Sequence, residues 1–256
     1  MSQKPLILVT NDDGILAPGL KALVEIVSEL GEVLVVAPDS PQSGKGHAIT
    51  INEPLRINKV DAFGEISAYE CSGTPVDCVK LAKHVIEKER SFDLCVSGIN
   101  HGSNASINII YSGTLSAAME ASIEGIRSIG FSLLDYSFDA DFEPCKPYLH
   151  DICKFVLDDG MQAGGLLNVN IPVGTIQGIS VCRQGEAKWV EEFQQGTDPR
   201  GVHFFWLTGR FENMDPGEDT DIHALQNGLI SIVPSMHDLT HHKVIKNLKT
   251  LEKIKT

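Results

Sequence analysis

Short, wholly apolar runs alternate along the first half of the chain with longer stretches whose apolar residues recur every three or four positions. Residues 6–9 form one such run, ending at Thr10-Asn11-Asp12-Asp13-Gly14, and predict a buried strand followed by a turn. Leu20, Leu23, Val24, Val27 and Leu30 then fall on one helical face, with Pro18 in the first turn and Gly31 as the stop. Residues 33–37 are again apolar throughout. The pattern repeats as a helix over about 75–86, a strand at 94–96, a helix over about 114–125 and a strand at 129–134. Strands that are apolar on both faces, alternating with amphipathic helices, imply a sheet covered on both sides. The predicted fold class is therefore α/β, with a doubly wound, mostly parallel sheet.

Further along, the pattern predicts a helix near 148–157 and strands at 166–171 and 229–233. The stretch 184–221 is irregular and longer than a compact domain tolerates as bare loop, so hairpins or an arm packing on a second subunit are expected there. The Lys-rich end, 243–256, reads as a solvated helix or tail. With no internal repeat, the expectation is one domain over 1–256, its core within about 1–135 and a C-terminal extension and arm over about 136–256.

Charge narrows the function classes. With 34 acidic and 21 basic residues, the formal net charge is −13, a field that disfavours a nucleic-acid polymer as partner. A small anion can still bind, but a metal ion or backbone N–H groups must attract it. The six cysteines are scattered without a C-x-x-C pair and read as buried free thiols. No uncharged apolar stretch is long enough to span a bilayer, and none resembles a signal peptide. A cytoplasmic protein without a membrane partner is expected.

Ligands of open α/β sheets bind beyond the carboxyl ends of the strands, which directs attention to three loops. After the first strand, where nucleotide folds commonly carry glycines, stands Asp12-Asp13-Gly14. Two carboxylates there repel a phosphate dianion unless a divalent cation bridges them. The competing reading makes one Asp a cap of the following helix, which leaves the other without a role. The second loop, Pro38 to His47, carries Ser43, Gly44, Lys45 and Gly46, and on composition alone reads first as a turn. The third combines Ser97-Gly98-Ile99-Asn100-His101-Gly102-Ser103-Asn104 with Tyr111-Ser112-Gly113-Thr114 at a helix start. Asn100 offers a neutral oxygen to a hard cation, and the helix start offers N–H groups to an anion. Together the loops hold an inventory suited to metal-assisted phosphoryl transfer to water.

At these residues the chain resembles the SurE family of survival-protein 5′-nucleotidases. The resemblance runs through Thr10-Asn11-Asp12-Asp13-Gly14, Ala37-Pro38-Asp39, Gln42-Ser43-Gly44, Ser72 to Val79, Val96 to Asn100 and Tyr111-Ser112-Gly113-Thr114. It returns in Leu167 to Pro172, in Thr220-Asp221 and in Ser231-Ile232-Val233-Pro234. It implies a Rossmann-like core, a homodimer or homotetramer built partly through an exchanged C-terminal arm, and one divalent metal, Mn2+ or Mg2+. In that pattern Asp12, Asp13, Ser43 and Asn100 hold the metal, and for Ser43 the resemblance carries the assignment. The implied substrates are nucleoside 5′-monophosphates, with 3′-monophosphates and short polyphosphate as further candidates. Gly44-Lys45-Gly46-His47 departs from the smaller residues of many members.

The expected mechanism has Asp12 or Asp13 taking a proton from water, while Asn104, Ser112, Gly113 and Thr114 hold the phosphate. Nothing in the spacing ties His47 or His101 to the substrate, Cys95 reads as a core residue of its strand, and His241-His242 as solvent-facing. An aspartyl-phosphate enzyme would carry Asp-x-Asp rather than adjacent acids. A Rossmann dehydrogenase lacks its Gly-x-Gly-x-x-Gly here. The non-enzymatic alternative is a nucleotide sensor.

Overall fold

The computed structural model describes residues 4–137 and 139–254. Thirteen strands are present among the described residues: β1 (Leu6–Thr10), β2 (Glu32–Pro38), β3 (Ile57–Val60), β4 (Ser67–Cys71), β5 (Leu94–His101), β6 (Ser128–Leu133), β7 (Leu166–Ile171), β8 (Gly178–Val181), β9 (Ala187–Val190), β10 (Phe193–Thr197), β11 (His203–Leu207), β12 (Arg210–Asn213) and β13 (Leu229–Ser235). The α-helices are α1 (Pro18–Val27), α2 (Pro75–Leu81), α3 (Gly113–Ile123), α4 (Lys146–Phe155), α5 (Asp221–Gln226) and α6 (His242–Leu248).

Nine strands form one sheet in the order β3-β4-β2-β1-β5-β6-β7-β13-β8. Pairing is parallel except at β3–β4 and β7–β13. The apolar strand runs are explained by burial on both faces. Ile7 and Val9 of β1 join the core beneath α1 and α4, whereas Leu6 and Leu8 join the core beneath α2 and α3. On α1 the side chains of Leu20, Leu23, Val24, Ile26 and Val27 are buried, each worth about 1.5–3 kcal/mol relative to exposure. A Thr74–Asp77 capping box starts α2.

The predicted α/β class and mostly parallel sheet are present, with differences at the edges. β3, β4 and β8 are partly exposed and carry no continuous apolar run, so periodicity passes over them. The helix read over 75–86 turns π-helical at Ala82–Ile86. α5 has six residues, too few to show a period. Within 184–221, β9 pairs antiparallel with β12, and β10 pairs with β11 in a hairpin. All five residues of β11 are exposed, and α6 buries none of its residues. The arm leaves and returns through one pinch, where Arg183 bridges Thr220 and the Asp221 N–H donates to the Arg183 carbonyl at 3.0 Å. No helix among the described residues is long and apolar enough to cross a membrane.

Candidate active site

β1 is central in the sheet, between β2 and β5, so its carboxyl end opens in the middle of the sheet edge. There the Asn11 side chain closes a turn on Gly14, accepting its N–H at 3.2 Å and donating to its carbonyl at 3.0 Å. The Asp12 carbonyl accepts the Gln42 N–H at 2.7 Å, which ties the Ser43 loop to the aspartates. Neither aspartate caps α1, whose N-cap position is Ala17 with no side-chain bond. Instead the Asp12 carboxylate faces the start of α3, where the Thr114 hydroxyl donates to its Oδ1.

Two glycines permit this arrangement. A Cβ on Gly113 would lie 2.7 Å from the Asp12 Cβ and 2.8 Å from Oδ2, so only glycine lets the helix start approach the carboxylate. Gly98 has φ +132°, and a Cβ there would lie 2.4 Å from the Phe131 carbonyl oxygen. It sits where the β5–β6 register shifts between Ser97 and Asn100, a bulge that re-aims the strand end. Asn100 then donates its amide N–H to the carbonyls of His101 and Gly102, at 3.2 and 2.9 Å, which leaves its Oδ1 as the unspent atom.

Asp12, Ser43, Asn100, Asn104 and Ser112 line one cavity of about 570 Å³, with His101 beside them. Gly113 and Thr114 lie behind Asp12 rather than on the cavity wall. Ser112 caps α3, its Oγ accepting the Leu115 N–H at 3.0 Å. The Asn104 side chain donates to Ser132 Oγ at 2.8 Å, and its backbone N–H donates to Asn170 Oδ1 at 2.8 Å. Asp13 is half-buried, and its Oδ2 is a buried atom without a hydrogen-bond partner.

The electrostatics of the pair fit a bound cation. Burial pushes the Asp12 carboxyl up to about 6, opposed by the Thr114 hydroxyl and reinforced by the charge of Asp13. Burial likewise raises Asp13, against the lowering influence of His101. No lysine or arginine pairs with either carboxylate among the described residues. Two adjacent acids, one with an orphaned oxygen and neither paired with a lysine or arginine, suit a hard divalent ion with oxygen ligands.

The other sequence candidates separate cleanly. His47 lies 2.9 Å from the buried Glu120 on α3. Cys95 is fully buried on β5, its thiol pushed up to about 12 by desolvation, as fits a core residue. His242 is exposed and bonds Asp238 at 2.7 Å. Sequence reading missed the arm's contribution: Lys188, Trp189, Glu192 and Thr208 line the same cavity. It also missed the buried Asp221, whose carboxylate accepts the N–H of Ser106 at 2.7 Å and of Gly185 at 2.8 Å. That bracket joins the cavity loop to the base of the arm. The Thr220-Asp221 motif was the signal for it.

A family model described as survival protein SurE matches residues 7–191. The chain is 58% identical over 253 residues to a protein of Christiangramia forsetii named 5′-nucleotidase SurE, covering 97% of both. It is 56% identical over 248 residues to the protein of the same name from Cytophaga hutchinsonii, covering 96% of both. Among solved structures it is similar to the SurE protein of Aquifex aeolicus, with 42% identity and a TM-score of 0.84 over 97% of this chain and 100% of that one.

Proposed function

The chain belongs to the SurE family, and we propose that it is a phosphoric monoester hydrolase that cleaves nucleoside 5′-monophosphates to nucleoside and phosphate. The observation that carries the reading is Asp12, buried on the cavity wall beside the start of α3, with the half-buried Asp13 next to it and neither paired with a lysine or arginine among the described residues. One divalent ion, Mn2+ or Mg2+, would be held by Asp12, Asp13, Ser43 and Asn100. When bound, it supplies the positive charge that draws a phosphate dianion into an acidic protein and polarises the phosphoryl group.

The chain's own residues do the rest. Ser112, on the cavity wall at the positive end of α3 and still free to donate its hydroxyl proton, holds a phosphate oxygen. Thr114 acts behind it, fixing the Asp12 carboxylate, and Asn104 holds the cavity loop against β6 and β7. Asp12 or Asp13 takes the proton of the attacking water. Nucleoside 3′-monophosphates and short polyphosphate present the same terminal phosphoryl group and are proposed as secondary substrates.

The exposed face of the β10–β11 hairpin, with Phe193, Phe205, Trp206 and Leu207 each at least 63% exposed, supports assembly into a homodimer or homotetramer through the arm. The free state of all six cysteines supports a cytoplasmic location.

The test is phosphate release from nucleoside 5′- and 3′-monophosphates and from short polyphosphate, in EDTA and then with added Mn2+ or Mg2+. Metal-restored release, abolished by Asp12→Asn and by Asp13→Asn in folded protein, is the expected result. Turnover retained in both variants overturns the site assignment. Tight nucleotide binding without release under either metal makes the protein a sensor.

A further inference from the structure

The phosphate-binding reading uses only the strand-end walls of the cavity and leaves the arm's wall without a role. That second wall is aromatic. The chain has two tryptophans and four tyrosines, and Trp189, Tyr111 and Tyr136 all line this one cavity. In a chain with 6% aromatic residues, such concentration beside a phosphate site calls for a ligand with a flat apolar face.

Trp189 differs from the two tyrosines in how it is held. Tyr111 and Tyr136 are 56% and 73% exposed. The Trp189 indole N–H donates to Asn108 Oδ1 at 2.8 Å, and Asn108 in turn donates to the Ser103 carbonyl at 3.2 Å. Across the β9–β12 ladder, Trp189 pairs with Phe211, whose ring meets the indole edge-on at 5.6 Å and 70°. The Asp221 bracket described above locks the loop that carries Asn108 to the residues that lead into β9. The indole plane is thus fixed before any ligand arrives, so stacking on it costs little ordering entropy.

Resting on the nucleotidase reading, we propose that Trp189 is the platform on which the substrate's base stacks, with Asn108 as the residue that positions it. The arm is then a specificity element of the site as well as a candidate surface for assembly. Every nucleobase has a π-face, so a stacking platform accepts purines and pyrimidines alike and rejects phosphomonoesters that carry no base. The 570 Å³ cavity lies in the range of clefts that bury a small-molecule ligand.

The experiment compares kcat/KM for AMP with that for ribose 5-phosphate, in wild type, Trp189→Ala, Trp189→Phe and Asn108→Ala. Trp189→Ala should lower the AMP to ribose 5-phosphate ratio by about five- to hundred-fold, the range of a lost base–aromatic stack. Trp189→Phe, which keeps a π-face, should recover most of the ratio, and Asn108→Ala should lower it less than Trp189→Ala does. Equal losses on both substrates, or an unchanged ratio, overturn the proposal.

A second readout does not depend on turnover. In a Trp206→Phe background Trp189 is the sole tryptophan, and adenosine should change its fluorescence saturably, with AMP competing. No saturable change in protein that hydrolyses AMP overturns the platform. A saturable adenosine response in that background, when the wild type releases no phosphate under any metal, upholds it and overturns the nucleotidase reading instead.

Discussion

Replacing Asp12 by Asn tests the electrostatic account of the site through stability alone, with no turnover needed. Burial holds the native Asp12 carboxyl up at about 6, against an ordinary 3.8. Between those two values the native protein binds more protons than the unfolded chain does. Stability therefore falls as pH rises through this window. The stabilising difference is fully present below about pH 4 and lost above about 6, a change of about 3 kcal/mol at about 1.36 kcal/mol per unit. Asp12→Asn cannot ionise, yet its side-chain oxygen still accepts from Thr114. Urea midpoints measured in EDTA from pH 4 to 7.5 should show the variant gaining on wild type by about 3 kcal/mol, with about half the gain reached near pH 5. Saturating Mn2+ should reverse the order at pH 7.5, because only the wild type keeps both carboxylates to bind it. A difference that stays constant across the range, or that favours the wild type as pH rises in EDTA, would show that burial does not hold the Asp12 proton.

The close approach of α3 to Asp12 predicts that Gly113→Ala costs about 1–3 kcal/mol by overpacking and displaces the carboxylate. Thermal melts and phosphate release should both drop, and unchanged melting would contradict the contact. Asp221→Ala strands the buried N–H groups of Ser106 and Gly185. At about 1–3 kcal/mol each, the urea-derived stability should fall by about 2–6 kcal/mol, and a loss below about 1 would show that the bracket is not structural. Charging the hairpin with Phe205→Asp and Trp206→Lys should shift sedimentation toward smaller species. Unchanged sedimentation of an assembled protein would remove this face from the interface.

What the sequence made legible follows from where burial is complete. β1 and the apolar stretches of β2 and β5 are enclosed on both sides, so they appear as unbroken apolar runs, and the strand-end rule then leads directly to Asp12, Asp13 and Asn100. Ser43 was weaker, because its exposed loop is built from residues that also make ordinary turns. The arm was legible only as an overlong irregular stretch. Its strands are short and β9 pairs with β12 across the intervening hairpin, so Trp189 carries no local sign of lining the same cavity as Asp12. Asp221 was visible as part of a motif but mute as to role, since its partners Ser106 and Gly185 lie 115 and 36 residues away.

The pinch at Arg183 and Thr220 bears on how such a chain can change over generations. The sheet strands on either side, β8 and β13, pair with each other in register, from Leu229 with Gly178 to Ile232 with Val181. The arm between them is therefore an insertion whose two ends already touch. Doubling the length of a flexible loop closed in this way costs only about 0.6 kcal/mol. Lineages can lengthen, trim or re-sequence the distal hairpin with little penalty to the sheet. The first strand beyond the pinch, with Trp189, has no such freedom, because it also forms part of the cavity wall. Variation should concentrate at the tip of the arm and fade toward its root, so that the surface offered to neighbours can drift while the cavity is preserved.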